Sequence, residues 1–208
     1  MKKSKRVKKS NIWKIKQHRD QFFKKSKTLG YRSRAAFKLI ELNNKFKFIK
    51  KNTNLLDLGS CPGGWSQVAS KLITSGKVLS IDIKQMKPIY NVKFLHCNFF
   101  ESSTKDKIKN YIKEKLDVVV SDMAADTTGN KSLDSIRTNQ LCAEAINFSS
   151  EILKKDGIFI SKIFMGEDFI EVKNLAKSIF KNVNFFKPES SRKESKETYL
   201  HCEFLKTL

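Results

Sequence analysis

The nine residues DLGSCPGGW, from Asp57 to Trp65, decide the fold that this sequence predicts. They follow a short apolar run at 54–58 and precede a stretch of helical periodicity at 64–73, so they connect a strand to a helix. Glycines at such a connection let the backbone approach a ligand that lies over the helix N-terminus, although glycines alone also suit a simple tight turn. The spacing is neither G-x-G-x-x-G nor a P-loop, which disfavours a dinucleotide-dependent dehydrogenase and an NTPase.

Short apolar runs alternate with helical patterns on both sides of this segment. The predicted strands are 54–58, 77–81, 92–96, 117–121, 157–164, 183–187 and 198–204, and the predicted helices are 64–73, 101–115, 134–154 and 167–180. Such alternation indicates right-handed crossovers and an open, doubly wound α/β sheet whose ligand binds at the carboxyl ends of the strands. The last two strands are joined by a polar loop without a helix, so we expect them to pair antiparallel.

The N-terminal part of the chain is basic. The net charge is +21, and residues 1–51 hold 19 Lys/Arg against only Asp20 and Glu41. We expect residues 1–10 to be disordered, 11–27 to form a basic helix, and a further helix to begin after Ser33 as its N-cap. Clustered cations favour a polyanion-binding arm, because binding phosphates releases counterions; a solvated tail is the alternative.

Other features limit the class of protein. No apolar run reaches the roughly 18 residues of a membrane span, and no apolar segment of a secretory signal follows the basic N-terminus. Four scattered cysteines without a C-x-x-C pair favour reduced thiols and argue against a metal site. We therefore expect a cytoplasmic protein that binds neither a membrane nor a metal, although the basic N-terminus also has some likeness to an organellar transit peptide.

Two polar residues close strands beside the glycine-rich segment. Asp82 ends the second predicted strand, 23 residues after Gly59, where a carboxylate can accept hydrogen bonds from both hydroxyls of a ribose. Asn98 closes the third strand, where an adenine would lie. A cofactor with ribose and adenine but no pyrophosphate suits the glycine spacing, which favours S-adenosylmethionine.

Lys162 is the most unusual residue of the chain. It lies in GIFISKIF, a run that is apolar on both faces and therefore predicts a central buried strand. A buried lysine is costly unless it is paired, and Asp122, at the end of the fourth strand, is the candidate partner. The alternative is that the side chain extends from the strand end to water.

Taken together, these segments resemble the FtsJ/RrmJ family of ribosomal RNA 2′-O-methyltransferases. The resemblance runs from about Trp13 to the C-terminus. It is carried by GYRSRAAFKL at 30–39, the segment 57–67, VSDMA at 120–124, SKIF at 161–164, KPESSR at 187–192 and ETY at 197–199. The resemblance implies a Rossmann-like methyltransferase sheet of seven mostly parallel strands with an antiparallel last strand. It divides the chain into a basic arm at 1–30, partly disordered, and a methyltransferase domain at 31–208.

The resemblance also implies roles for individual residues. The family's catalytic set falls on Lys38, Asp122, Lys162 and Glu197. Its S-adenosylmethionine contacts fall on Gly63, Trp65, Asp82, Asn98 and Asp122. The sequence departs from the family pattern at three places: Asn98 stands where the family usually has Asp, Ala125 replaces a proline, and Cys61 replaces a small alanine.

The implied reaction is methylation of a uridine ribose 2′-hydroxyl in large-subunit rRNA, on the assembled large ribosomal subunit, by a monomer. A ribose hydroxyl is a poor nucleophile until its proton is taken up, so Lys162 serves this purpose only where it is neutral. Burial and Lys38 lower its pKa and Asp122 raises it, and the sequence does not rank these effects. The alternatives are a family member acting on tRNA or an mRNA cap, and a non-catalytic RNA-binding protein. Methylation of a base amino group is disfavoured, because Asp122 is followed by Met-Ala-Ala and the [ND]-P-P-[YF] motif is absent.

Overall fold

A computed structural model describes residues 20–206 as a seven-stranded sheet covered by helices on both faces. The helices are α1 (Gln21–Thr28), α2 (Ala35–Phe46), α3 (Gly64–Leu72), α4 (Ser102–Ile112), α5 (Lys131–Ile152) and α6 (Phe169–Ile179). The strands are β1 (Leu55–Leu58), β2 (Val78–Asp82), β3 (Val92–His96), β4 (Leu116–Ser121), β5 (Leu153–Phe164), β6 (Phe180–Phe186) and β7 (Glu197–Leu205).

The strand order is β3-β2-β1-β4-β5-β7-β6. The first five strands of this order pair in parallel, whereas β7 is inserted between β5 and β6 and is antiparallel to both. The order reverses between β1 and β4, and this switch point is where an open α/β sheet leaves a crevice at the carboxyl ends of its strands. The predicted fold class is confirmed, including the antiparallel pairing of the last two strands.

Apolar residues fill both faces of the sheet. Residues such as Leu39, Trp65 and Tyr199 pack between the sheet and the layer of α2 and α3. On the other face Phe148 and Phe159 pack with the layer of α4, α5 and α6. Each fully buried side chain of this size contributes roughly 1.5–3 kcal/mol, which explains why the central strands read as continuous apolar runs.

The structure corrects the prediction that Ser33 caps α2. The helix begins at Ala35, and the residue before it, Arg34, already has helical backbone angles and makes no side-chain capping bond. The amide of Ala36 donates instead to the carbonyl oxygen of Ser33 at 3.3 Å. The Ser33 hydroxyl is buried and has no hydrogen-bond partner among the described residues, so it caps no amide of the helix.

The basic helix predicted at 11–27 is observed in part. It begins at Gln21, where Asp20 caps it by accepting from the amides of Phe22 and Phe23 at 3.0 and 3.2 Å. Phe22 packs on Phe37 of α2 with a ring distance of 5.5 Å, so the end of the predicted arm is attached to the domain. Because Asp20 has an extended backbone, a helix that runs unbroken from 11 to 27 is wrong. The predictions for residues 11–19 and the disorder expected at 1–10 lie outside the described residues.

Candidate active site

Four charged side chains from four different elements meet at the carboxyl ends of β4 and β5. Lys38 comes from α2, Asp122 directly follows β4, Lys162 lies on β5, and Glu197 begins β7. Since β7 is antiparallel to β5, its first residue pairs with Phe164 at the end of β5. The topology therefore brings together residues that are up to 159 positions apart in the sequence.

The two lysines and two carboxylates form one buried network. Lys162 Nζ lies 2.7 Å from Asp122 Oδ1 and 3.6 Å from Glu197 Oε2. Lys38 Nζ lies 2.7 Å from Glu197 Oε1 and 4.0 Å from Asp122 Oδ1. Each predicted catalytic lysine thus lies within 4.0 Å of both predicted catalytic carboxylates. Lys162, only 7% exposed, does not extend to water.

Sequence reasoning missed two further members of the network. The hydroxyl of Tyr199 donates to Asp122 Oδ1 at 2.7 Å, and the hydroxyl of Ser191 donates to Glu197 Oε1 at 2.8 Å. Tyr199 lies two positions after Glu197 on β7 and so projects from the same face of the sheet, a signal that was available in the sequence. Ser191 lies in an irregular loop, whose path no periodicity reveals.

The geometry ranks the opposing effects on the charged groups. Burial lowers the pKa of Lys162, but the carboxylates of Asp122 and Glu197 outweigh it, so the pKa lies above the usual lysine value. Burial raises the pKa of Asp122, but the charges of Lys162 and Lys38 lower it below the usual range. Without a ligand, therefore, Lys162 is an ammonium and Asp122 a carboxylate at neutral pH.

A cavity of about 500 Å³ opens beside this network. Its lining includes Gly59, Asp82, Asn98, Phe100, Asp122 and Leu141. Asp122 thus belongs both to the cavity wall and to the lysine–carboxylate network. At Gly59 an added Cβ would lie 2.5 Å from Cγ of Met123, so only glycine lets the end of β1 approach the chain that follows β4.

The polar residues of the cavity are held in place by backbone amides. Asp82 Oδ2 accepts from the amide of Cys61, and Asp82 Oδ1 accepts from the amide of Lys84, both at 2.7 Å. Each oxygen retains a lone pair for a further donor. Asn98 Oδ1 accepts from the amide of Phe100 at 3.1 Å, which orients the amide group that replaces the usual carboxylate.

Gly63 and Trp65, the other predicted cofactor contacts, do not line the cavity. At Gly63, which has a φ of 109°, an added Cβ would lie 2.7 Å from Cδ1 of Ile89. The Trp65 side chain is 2% exposed, and its indole N–H donates to the Ala35 carbonyl at 2.8 Å. Their contribution to a cofactor site stays a prediction, and the observed contacts are those of loop packing and of docking α3 on α2.

Two arginines of the basic region are engaged inside the protein. Arg32 donates to the carbonyl oxygens of Lys87 and Pro88, both at 2.6 Å, and to that of Pro62 at 3.3 Å. Arg34 is ion-paired with Asp20. These guanidinium groups fasten loops to the domain, so the cations available to a polyanion must be sought elsewhere in the basic region.

Two classes of feature are absent from the described residues. Between residues 20 and 206, no three His, Cys, Asp or Glu side chains are grouped so that they could hold a metal ion. Over the same range no helix has the length and apolar character needed to span a membrane.

Curated relatives match almost the whole chain. It is 48% identical over 197 residues to the ribosomal RNA large subunit methyltransferase E of Pelagibacter ubique (strain HTCC1062), covering 95% of this chain and 97% of that protein. It is 46% identical over 202 residues to the protein of the same name from Rickettsia akari (strain Hartford), covering 94% and 89%.

Solved structures show the same fold. A ribosomal RNA methyltransferase from Plasmodium falciparum superposes with a TM-score of 0.74 at 34% identity, covering 84% of this chain and 98% of that one. A methyltransferase from Streptococcus mutans in complex with SAH gives a TM-score of 0.54 at 18% identity, covering 80% and 97%, and supports the fold alone. The FtsJ-like methyltransferase family model matches residues 31–204, a range that includes the four charged side chains and the whole cavity. The chain therefore belongs to the FtsJ-like methyltransferase family.

Proposed function

We propose that this protein transfers a methyl group from S-adenosylmethionine to the ribose 2′-hydroxyl of a uridine in large-subunit rRNA. The observation that carries the proposal is the position of Asp122. This residue lines the cavity and at the same time holds Lys162 at 2.7 Å, so a cofactor site and a proton-handling group share one carboxylate.

The cavity suits the cofactor in size and in its donor set. Its volume of about 500 Å³ lies within the roughly 300–1,000 Å³ typical of small-molecule sites. Asp82, fixed by two amides, would accept from the ribose hydroxyls, and Asn98 would accept from the adenine amino group. When bound, S-adenosylmethionine supplies the methyl group on a positively charged sulfonium.

The residues of the network divide the remaining work. A methyl group is transferred in line, so the protein must align the 2′-oxygen and remove its proton. Lys162 takes this proton in its neutral form. That form is scarce at neutral pH because the pKa of Lys162 is raised, and its fraction grows as the pH approaches this pKa. Since Asp122 also faces the cavity, a positively charged sulfonium bound there would interact with the same carboxylate. The carboxylate would then stabilise the Lys162 ammonium less, and the pKa of Lys162 would fall. Glu197 contacts Lys38 through one carboxylate oxygen and Lys162 through the other, and so it fixes the distance between the two ammonium groups.

The names of the relatives and the charge of the chain support an rRNA substrate. The curated relatives at 46–48% identity carry the name ribosomal RNA large subunit methyltransferase E. The basic arm at 1–30 would bind phosphates without reading sequence, so the shape of a flexible loop would select the nucleotide. We propose that the protein acts as a monomer in the cytoplasm, on an assembled or nearly assembled large subunit.

The proposal is tested with labelled S-adenosylmethionine and rRNA from cells that lack the gene. We expect label to enter a single 2′-O-methyluridine of the large-subunit rRNA, and to enter assembled subunits much faster than protein-free rRNA. Label in tRNA or in capped mRNA would favour the alternative substrates. Binding of RNA without transfer would contradict the enzyme and favour an RNA-binding protein.

A further inference from the structure

One face of α2, extended by its cap residue Arg34, presents three charged residues to the loop at 187–196 and to the start of β7. Arg34, Lys38 and Glu41 are spaced by four and three residues, which places them in one stripe along the helix. The middle residue, Lys38, binds Glu197. The two outer residues do not contact Glu197 by hydrogen bonds or ion pairs within the described chain; they bind the backbone of the loop that leads to it.

These outer contacts hold a buried turn from both sides. Glu41 accepts from the amide of Glu189 at 2.6 Å and from the amide of Ser190 at 3.1 Å. Arg34 donates to the carbonyl oxygen of Ser190. Because Ser190 is fully buried, its backbone groups need protein partners, and the stripe on α2 supplies them.

The turn at Ser190 places the next side chain, Ser191, in contact with the charged network. The hydroxyl of Ser191 donates to Glu197 Oε1 at 2.8 Å, and this same oxygen lies 2.7 Å from Lys38 Nζ. The other oxygen of Glu197 faces Lys162 at 3.6 Å. The orientation of this carboxylate, and with it the separation of the two lysines, therefore depends on where the turn lies.

We propose that Glu41, together with Arg34, is a positioning residue for methyl transfer: it fixes the turn at Ser190 so that Ser191 orients Glu197 between the two lysines. The inference rests on the proposed function for its kinetic consequences. The competing explanation is a loop anchor that affects only stability.

Kinetics of Glu41→Ala separate these explanations. We expect kcat to fall about tenfold, which is the rate equivalent of roughly one hydrogen bond, while the KM values for S-adenosylmethionine and rRNA stay within about twofold. Glu41→Gln keeps an oxygen acceptor for one of the two amides and should recover part of the rate. The matched control is Glu194→Ala, which removes an exposed carboxylate from the same loop and should behave as wild type.

A second readout does not require activity. Lys162 is faced by Asp122 after β4, by Glu197 and Tyr199 of β7, and by Lys38 of α2. When Glu197 loses its orientation, its carboxylate interacts less strongly with the Lys162 ammonium and therefore raises the pKa of Lys162 less. An NMR titration of the Lys162 ammonium should therefore show a lower midpoint in Glu41→Ala than in wild type.

The same titration in Ser191→Ala removes one hydrogen bond without removing a charge and covers the case in which Glu41→Ala does not fold. A lower midpoint in Glu41→Ala, or in Glu41→Gln where Glu41→Ala does not fold, supports the positioning role, and a lower midpoint in Ser191→Ala supports its last step. A wild-type midpoint in the folded variants, with kcat unchanged or lost only in proportion to unfolded protein, overturns it. Absence of methyl transfer by the wild-type protein would overturn the proposed function instead, and the titration would still decide the inference.

Discussion

The ammonium group of Lys162 contacts Asp122 twice: Nζ lies 2.7 Å from the carboxylate Oδ1 and donates to the main-chain carbonyl oxygen of the same residue at 3.0 Å. The second contact is with backbone, so it fixes the position of the nitrogen even when the carboxylate is engaged elsewhere. A lysine held in this way can lose its proton without leaving the site, which is the property that a proton acceptor needs.

Replacing Lys162 by Ala should abolish methyl transfer and leave the affinity for S-adenosylmethionine nearly unchanged, because Lys162 is not among the residues that line the cavity. A methyl-transfer assay tests the loss of activity, and calorimetry tests the unchanged affinity for S-adenosylmethionine. Lys154→Ala, on the same strand but at the surface, is the control. A Lys162→Ala variant that retains more than about a tenth of the rate would exclude the role.

The rate of methyl transfer should rise with pH. The pKa of Lys162 lies above the usual lysine value, so the neutral fraction grows about tenfold per pH unit below that pKa. The measurement is single-turnover transfer from neutral to alkaline pH. A flat profile would mean that Lys162 acts as a fixed positive charge and not as a proton acceptor.

Asp82→Ala should weaken S-adenosylmethionine binding by roughly 1–3 kcal/mol, because two ribose hydroxyls lose their acceptor. The variant also frees the amides of Cys61 and Lys84, which Asp82 holds. Asp106→Ala, an exposed carboxylate on α4, is the control for the loss of charge. Unchanged affinity would show that Asp82 serves only to accept the amides of Cys61 and Lys84 at the end of β2.

Stability should depend on pH through Asp57. Burial raises the pKa of this carboxyl from 3.8 to about 7, although a hydrogen bond from Ser66 at 2.6 Å opposes the shift. The folded state therefore keeps a proton that the unfolded state releases, and stability falls as pH rises from about 4 to about 7. Asp57→Asn should remove this trend, so that its stability relative to wild type grows by about 4 kcal/mol across the window. Urea unfolding at several pH values measures it, and parallel curves for the two proteins would contradict it.

Deleting residues 1–19 should weaken rRNA binding and flatten its salt dependence while leaving S-adenosylmethionine binding intact. The segment carries nine Lys/Arg, and the salt slope should fall by about 0.9 or less for each phosphate that the truncated protein no longer binds. The deletion must spare Asp20, which caps α1 and pairs with Arg34. Normal rRNA affinity in the truncated protein would show that the segment is only a solvated tail.

The order of strands and helices was predictable from local patterns. Apolar runs that alternate with helical patterns indicate strands joined by right-handed crossovers, and such strands pair in parallel. The pairing of Lys162 with Asp122 followed from the same reasoning, since adjacent strands end at one edge. The cap at Ser33 was a local prediction that failed, because the Ser33 hydroxyl lies against Gly64 of α3, a long-range contact that a helix-start pattern does not reveal.

The sequence by itself determined which residue types stand near the ends of the strands: one lysine, two carboxylates and the acceptors of a nucleoside site. It also placed the second lysine, Lys38, on a helix. The tertiary structure alone decided the protonation states of these groups and the hydrogen-bond partners of the residues around them. The pKa of Lys162 is a balance between burial and charges that arrive from α2, β4 and β7, and such a balance depends on distances through space. For the same reason only the structure shows that Arg32 and Arg34, two cations of the basic N-terminal region, donate to carbonyl groups of their own chain.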